Sequence, residues 1–96
     1  MPRLIFTPQA VQDIERLREF LRPKDPAAAQ RAARAIIQGV QSLAEMPLIG
    51  RPVEGLSEAY RDWLIDFGDA GYVVRYRFEG EVVAVLAVRH QREAGF

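Results

Sequence analysis

His90 and the arginines of the C-terminal half are the side chains whose type and spacing suit proton transfer and anion stabilisation. Cleavage of an RNA phosphodiester without metal needs a base for the 2′-hydroxyl, a cation for the nonbridging oxygens and an acid for the leaving group. His90 suits base or acid. Arg61, Arg75, Arg77 or Arg89 suits the cation, which makes Arg61, Arg75 and His90 the candidate catalytic set. A lone histidine at a strand end is more commonly a hydrogen-bonded structural residue, and that reading stands beside the catalytic one. The cluster Arg61, Arg75, Arg77, Arg89 and Arg92 also has two readings. It is either a solvated sheet face paired with Asp62, Asp66, Glu79 and Glu81, or a face that binds another macromolecule.

Other chemistries find no residues to carry them. One histidine, no cysteine and no clustered acids leave metal ligation unsupported, and no cofactor is expected. Ser42 and Ser57 have no histidine nearby in sequence, and the glycines lack phosphate-loop or dinucleotide spacing. Glu15 and Glu19, one helical turn apart among arginines, read as surface ion pairs of small worth.

The elements that position these residues follow from periodicity. Arg3 to Phe6 reads as a short strand. Thr7-Pro8 then starts a helix, with Thr7 as N-cap and Pro8 at the first helical position. Val11, Ile14, Leu17 and Leu21, widened by Ala10 and Phe20, form its apolar stripe, with Gln12, Asp13, Glu15, Arg16 and Arg18 on the wet side. The helix should stop near Arg22, ahead of Pro23. Asp25-Pro26 repeats the start signal, and Ala27 to Glu45 has high helix propensity, with Ala29, Ala33, Ile36, Ile37, Val40, Leu43 and Ala44 on the apolar face. Gly39 inside this helix reads as a packing contact. Met46 to Leu56, punctuated by proline and glycine, reads as a stiff loop packed on a sheet edge.

Three strands follow as an antiparallel meander, Tyr60 to Phe67, Gly71 to Phe78 and Val82 to Arg92, separated by Gly68 to Gly71 and Glu79-Gly80. Alternation places Trp63, Ile65 and Phe67, then Tyr72, Val74, Tyr76 and Phe78, on the core face. Arg75 and Arg77 fall on the opposite face. The third strand is apolar on both faces, which suggests helices on one side and a tail or partner on the other. The fold class is therefore α+β, in the order β-α-α-β-β-β, with a helical hairpin packed on one face of a small, mostly antiparallel sheet.

At 96 residues the chain is one domain, residues 1–96, able to bury about two thirds of its unfolded surface. Thirteen basic and 13 acidic residues cancel, which argues against phosphate backbones as the sole partner. All but one of the basic residues are arginine, the side chain suited to planar and stacked contacts. No signal peptide or membrane span is read, and the absence of cysteine fits a cytoplasmic address.

The order of elements and several short motifs resemble the ParE/RelE superfamily of bacterial type II toxins. The matching pieces are Ile49-Gly50-Arg51-Pro52, Tyr60-Arg61, Phe67-Gly68 with Gly71-Tyr72 and Tyr76-Arg77, and Leu86-Ala87-Val88-Arg89-His90-Gln91-Arg92-Glu93. The arginine-histidine ending is closer to ParE. The resemblance implies a toxin of a plasmid stabilisation-type module, bound as a hetero-oligomer by a cognate ParD/RelB-like antitoxin and acting on DNA gyrase. It implies target contacts at Arg75, Arg77, Arg89, His90 and Arg92, with the third meander strand and the Arg89 to Phe96 tail foremost. Antitoxin contacts are expected at Leu17, Leu21, Ile36 and Val40, which otherwise pack on Trp63 and Tyr72; an antitoxin strand extending the sheet is also expected. The alternatives are a RelE-type, ribosome-dependent mRNA endonuclease, or a non-toxic relic that still binds antitoxin. The nuclease pattern carries an arginine after the Gly-Tyr pair, where this chain has Val73, and lysines along the loop and first meander strand, where it has none.

Overall fold

The structure is a computed structural model that describes residues 2–96. A short strand β1 (Arg3–Phe6) leads into helix α1 (Pro8–Leu21) and helix α2 (Pro26–Glu45). Both helices start as their sequence dictates: the Thr7 side chain accepts from Ala10 N–H and the Asp25 side chain from Ala28 N–H, each with proline directly behind. Three long strands complete the fold, β3 (Tyr60–Phe67), β4 (Ala70–Glu79) and β5 (Val82–His90). The hairpin between β4 and β5 turns on Gly80 and Glu81, both at positive φ, the twist that two-residue hairpins favour.

One strand was not expected. Arg51 and Pro52 form β2, a two-residue strand antiparallel to β3, so the stiff loop is stitched into the sheet edge that it was expected to pack against. The five strands run β1-β5-β4-β3-β2, antiparallel except for β1 against β5. The helical hairpin covers one face. Its core joins Leu17, Ile36, Val40 and Leu43 to Ile65, Tyr72, Val74, Tyr76, Val83, Val85 and Val88.

Three expectations are corrected on the first helix. Asp13, assigned to the wet side, is buried, and Val11 and Phe20, assigned to the stripe, are exposed. The apolar stripe is narrower than the helical period suggests because β5 presents backbone, and not a side chain, to Asp13: its Oδ2 accepts Val88 N–H at 2.9 Å. On the second helix Ile37 likewise faces solvent while Ala32 is buried. Gly39 meets its expected role, since a Cβ there would lie 2.5 Å from Ile65 Cδ1.

Candidate functional site

The arginines sort by strand register. Residues directly opposite one another in an antiparallel pair share a face. Arg75 lies opposite Asp62 and Ala87, Arg77 opposite Tyr60 and Ala84, and Arg89 opposite Val73, all on the face that the helices leave open. Arg75 makes a bidentate pair with Asp62, with Nε to Oδ1 at 2.9 Å and a terminal nitrogen to Oδ2 at 3.1 Å. The hydrogen bond to Asp62 raises its pKa above the ordinary arginine value, against the smaller opposing effect of burial. Arg77 is exposed and lies 3.9 Å from Glu79.

The tail folds back onto this face. One terminal nitrogen of Arg89 donates to the carbonyls of His90, Gln91 and Glu93, which fixes the turn. The Phe96 ring then stacks on two guanidinium groups, 4.5 Å from Arg75 and 5.1 Å from Arg89. Glu93 anchors the turn to α1 through Arg16 at 2.8 Å. Burial alone would raise the Glu93 pKa; the His90 N–H and the Arg16 guanidinium outweigh it and hold the carboxyl below its usual value.

His90 is not among these groups. β5 carries an extra residue, Leu86, between the pairs Arg75 with Ala87 and Tyr76 with Val85. That bulge shifts the phase of alternation, so Val83 and Val85 before it and Val88 and His90 after it all face the helices. His90 packs edge-on against Tyr72, with ring centroids 5.6 Å apart, and its Nδ1 accepts Arg92 N–H at 3.1 Å. Arg92 itself reaches Asp69 at 3.5 Å, at the end of the sheet.

Arg61 is also on the helix side, opposite Tyr76, and donates to the carbonyls of Gly50 at 2.8 Å and Leu48 at 3.2 Å. It and His90 therefore lie four residues apart along β4, roughly 13 Å, while Arg75 lies through the sheet from both. The candidate catalytic set does not converge. The expected target-binding set divides too, into Arg75, Arg77 and Arg89 on the open face, His90 behind it and Arg92 at its end.

Of the side chains expected to meet a partner helix, Ile36 and Val40 are fully buried and Leu17 nearly so, because the sheet already fills that space. Leu21 differs. With Phe20, Leu17, Phe67, Tyr72 and His90 it lines an open groove of about 530 Å³ between α1 and the turn joining β3 to β4. Tyr76, read only as core, is polar at its tip: its hydroxyl donates to Pro47 O at 2.7 Å and accepts Gly50 N–H at 2.9 Å, pinning the loop. No sequence signal marks the burial of Asp13 or the bonds of the tyrosine hydroxyl, since the Val88 amide lies 75 residues from Asp13 and the Pro47 and Gly50 backbone atoms lie 29 and 26 residues from Tyr76. No group of three or more metal-ligating side chains occurs among the described residues.

Residues 4–95 match the family of the ParE toxin of type II toxin-antitoxin systems. The chain belongs to that family. Two curated relatives from Caulobacter vibrioides agree with a ParE/RelE toxin: Toxin RelE3 is 34% identical over 86 residues, covering 90% of each chain, and Toxin RelE1 is 34% identical over 90 residues, covering 94% of each. The fold recurs in the chromosomal ParDE system from P. aeruginosa, with a TM-score of 0.78 at 18% identity over 94% of this chain and 96% of that one. It recurs again in the E. coli RelBE complex, with a TM-score of 0.63 at 18% identity over 98% and 100%. In this ParE/RelE toxin the arginine-bearing face and the groove lie on opposite sides of the sheet. No helix among the described residues is long and apolar enough to cross a membrane.

Proposed function

We propose that this toxin is held inactive in the cytoplasm by a ParD/RelB-like antitoxin and that, once released, it inhibits DNA gyrase through the open sheet face. The observation that carries this reading is the dispersal of the nuclease set: Arg61 holds loop carbonyls, Arg75 is paired with Asp62, and His90 is packed on Tyr72 beyond the sheet. General acid-base work on a phosphodiester needs base and cation within about 3 Å of neighbouring substrate atoms. What the open face offers is a partly stacked guanidinium surface, Arg75 and Arg89 under Phe96 with Arg77 exposed on the same face, suited to recognising a macromolecule. The antitoxin's apolar contacts fall on Leu21 and the groove beside it, because Ile36 and Val40 have no surface to offer.

Purified toxin added to gyrase and relaxed plasmid should block supercoiling and leave cleaved DNA, and Arg75→Ala with Arg89→Ala should weaken the block. Unaffected supercoiling at excess toxin removes gyrase as the target. The RelE name of the relatives favours a second reading, cleavage of mRNA on the ribosome. In-frame cleavage on purified ribosomes, lost in His90→Ala or Arg75→Ala, supports that reading in place of the first.

A further inference from the structure

Two guanidinium groups of the open face are already engaged within the chain. Arg75 is paired with Asp62, Arg89 donates to carbonyls of the tail, and the Phe96 ring lies over both. No ring among the described residues lies over Arg77. A guanidinium recognises a partner through its planar faces and its outward N–H groups. Phe96 occupies those faces, so the surface suited to gripping a macromolecule is covered by the chain itself.

The cover is lightly held. The last backbone bond between the tail and the sheet joins Gln91 N–H to Gly71 O; beyond it the tail's backbone bonds are local, from Glu93 N–H to His90 O and from Gly95 N–H to Glu93 O. The latch to α1 is Glu93 with Arg16, side chains 37% and 50% exposed, and an ion pair so open to water contributes little. The ring itself is 50% exposed. Arg89 Nε is buried with no partner among the described residues, a cost that exposure to water relieves. A recess of about 240 Å³, lined in part by Asp13, Arg16, Arg89, Glu93 and Phe96, lies beside the tail, which therefore bridges space there. Gly95 makes the return over the arginines possible, with a φ of 73° that residues bearing a Cβ adopt only at a cost. A Cβ at Gly95 would meet no atom within 4 Å, so substitution there disturbs the backbone preference alone.

We propose that residues 92–96 form a lid that holds the toxin's own target face shut: Phe96 masks Arg75 and Arg89, and the target binds the form in which the ring has swung away. The inference rests on the reading that this face meets gyrase. A partner that needs the open form binds with an affinity reduced in proportion to the open fraction. Tail variants should therefore shift inhibition without altering a single arginine. A ring that is itself the target contact predicts the opposite order of variants.

Phenylglyoxal labelling of arginine, followed site by site by mass spectrometry, reads the lid without any target, with Arg77 as the internal reference. A left-handed backbone disfavours alanine against glycine by roughly tenfold in population. Gly95→Ala should therefore label Arg75 and Arg89 about tenfold faster, and should half-block gyrase supercoiling at about tenfold lower toxin concentration. Phe96→Trp, a better partner for a cation, should label more slowly at both sites and require more toxin. Labelling of Arg75 and Arg89 that both variants leave unchanged relative to Arg77 overturns the inference, since no lid then closes in solution. Faster labelling of Gly95→Ala with an unchanged or weaker block also overturns it, and leaves gyrase as the target. A stronger block by Phe96→Trp makes the ring a contact and not a cover, which overturns it as well. If neither the parent protein nor any variant blocks supercoiling, the gyrase reading fails and this regulation of it fails too.

Discussion

Replacing Asp13 by alanine tests whether α1 seals the outer edge of β5. The carboxylate is about nine-tenths buried and accepts two hydrogen bonds at 2.9 Å, one from Val88 N–H and one from Gln9 Nε2. A hydrogen bond to a charged group contributes about 1.5–3 kcal/mol, and a buried amide left without a partner costs about 1–3 kcal/mol. These overlap, because the lost bond and the orphaned amide are one event, so Asp13→Ala should cost about 2–3 kcal/mol. For a domain of this size that lowers the melting temperature by about 8–24 °C. Asp13→Asn keeps an acceptor oxygen for Val88 and should cost less than about 1 kcal/mol. Thermal denaturation of the three proteins, with amide exchange at Val88, measures both effects. The reasoning fails if Asp13→Ala melts with the parent protein, or if Asp13→Asn is as unstable as Asp13→Ala, which would mean that charge and not the acceptor atom matters. Freed Val88 N–H should also make the alanine variant more prone to self-association, visible by light scattering.

Three further outcomes follow from particular contacts. Gly39→Ala gains about 1 kcal/mol of helix propensity but drives a methyl group into Ile65, where overpacking costs about 1–3 kcal/mol; the variant should be less stable in urea, and adding Ile65→Val, which removes Cδ1 but keeps the Cγ1 that lies 2.6 Å from the new methyl group, should restore it only in part. Tyr76→Phe strips the partners from buried Gly50 N–H and Pro47 O, so it should cost about 1–3 kcal/mol and loosen the 46–50 loop in exchange experiments, with Tyr72→Phe, whose hydroxyl makes no such bonds, as the mild control. Glu93 has a folded-state pKa below its unfolded value, so its contribution is fully present above the usual carboxylate value near 4.3 and is lost as pH falls through the lowered one. The turn that carries Phe96 should therefore loosen only as pH falls below the ordinary carboxylate range, read as faster exchange at His90 N–H, and Glu93→Gln should remove that acid transition; a turn indifferent to acid would show that Arg16 and His90 do not hold the carboxylate.

Local signals in the sequence determined most of the architecture. Threonine or aspartate before proline fixed both helix starts, glycines fixed the hairpins, and strict alternation placed Trp63 to Phe67 and Tyr72 to Phe78 on the core face and Arg75 and Arg77 away from it, because each depends only on neighbours a few residues apart. Tertiary structure decided what those residues are free to do. The bulge at Leu86 cannot be read from a strand apolar on both faces, yet it sends His90 to one side of the sheet and leaves Arg75, Arg77 and Arg89 on the other, setting apart residues that residue types alone would group as a catalytic set. Burial decided which helical side chains remain available, consuming Ile36 and Val40 and leaving Leu21. The hydrogen bond between Asp13 and Val88, 75 positions away, decided how one sheet edge is closed, and the two-residue length of β2 decided how far the other is paired. Periodicity sees side chains along one segment; edges, faces and satisfied backbone groups exist only between segments.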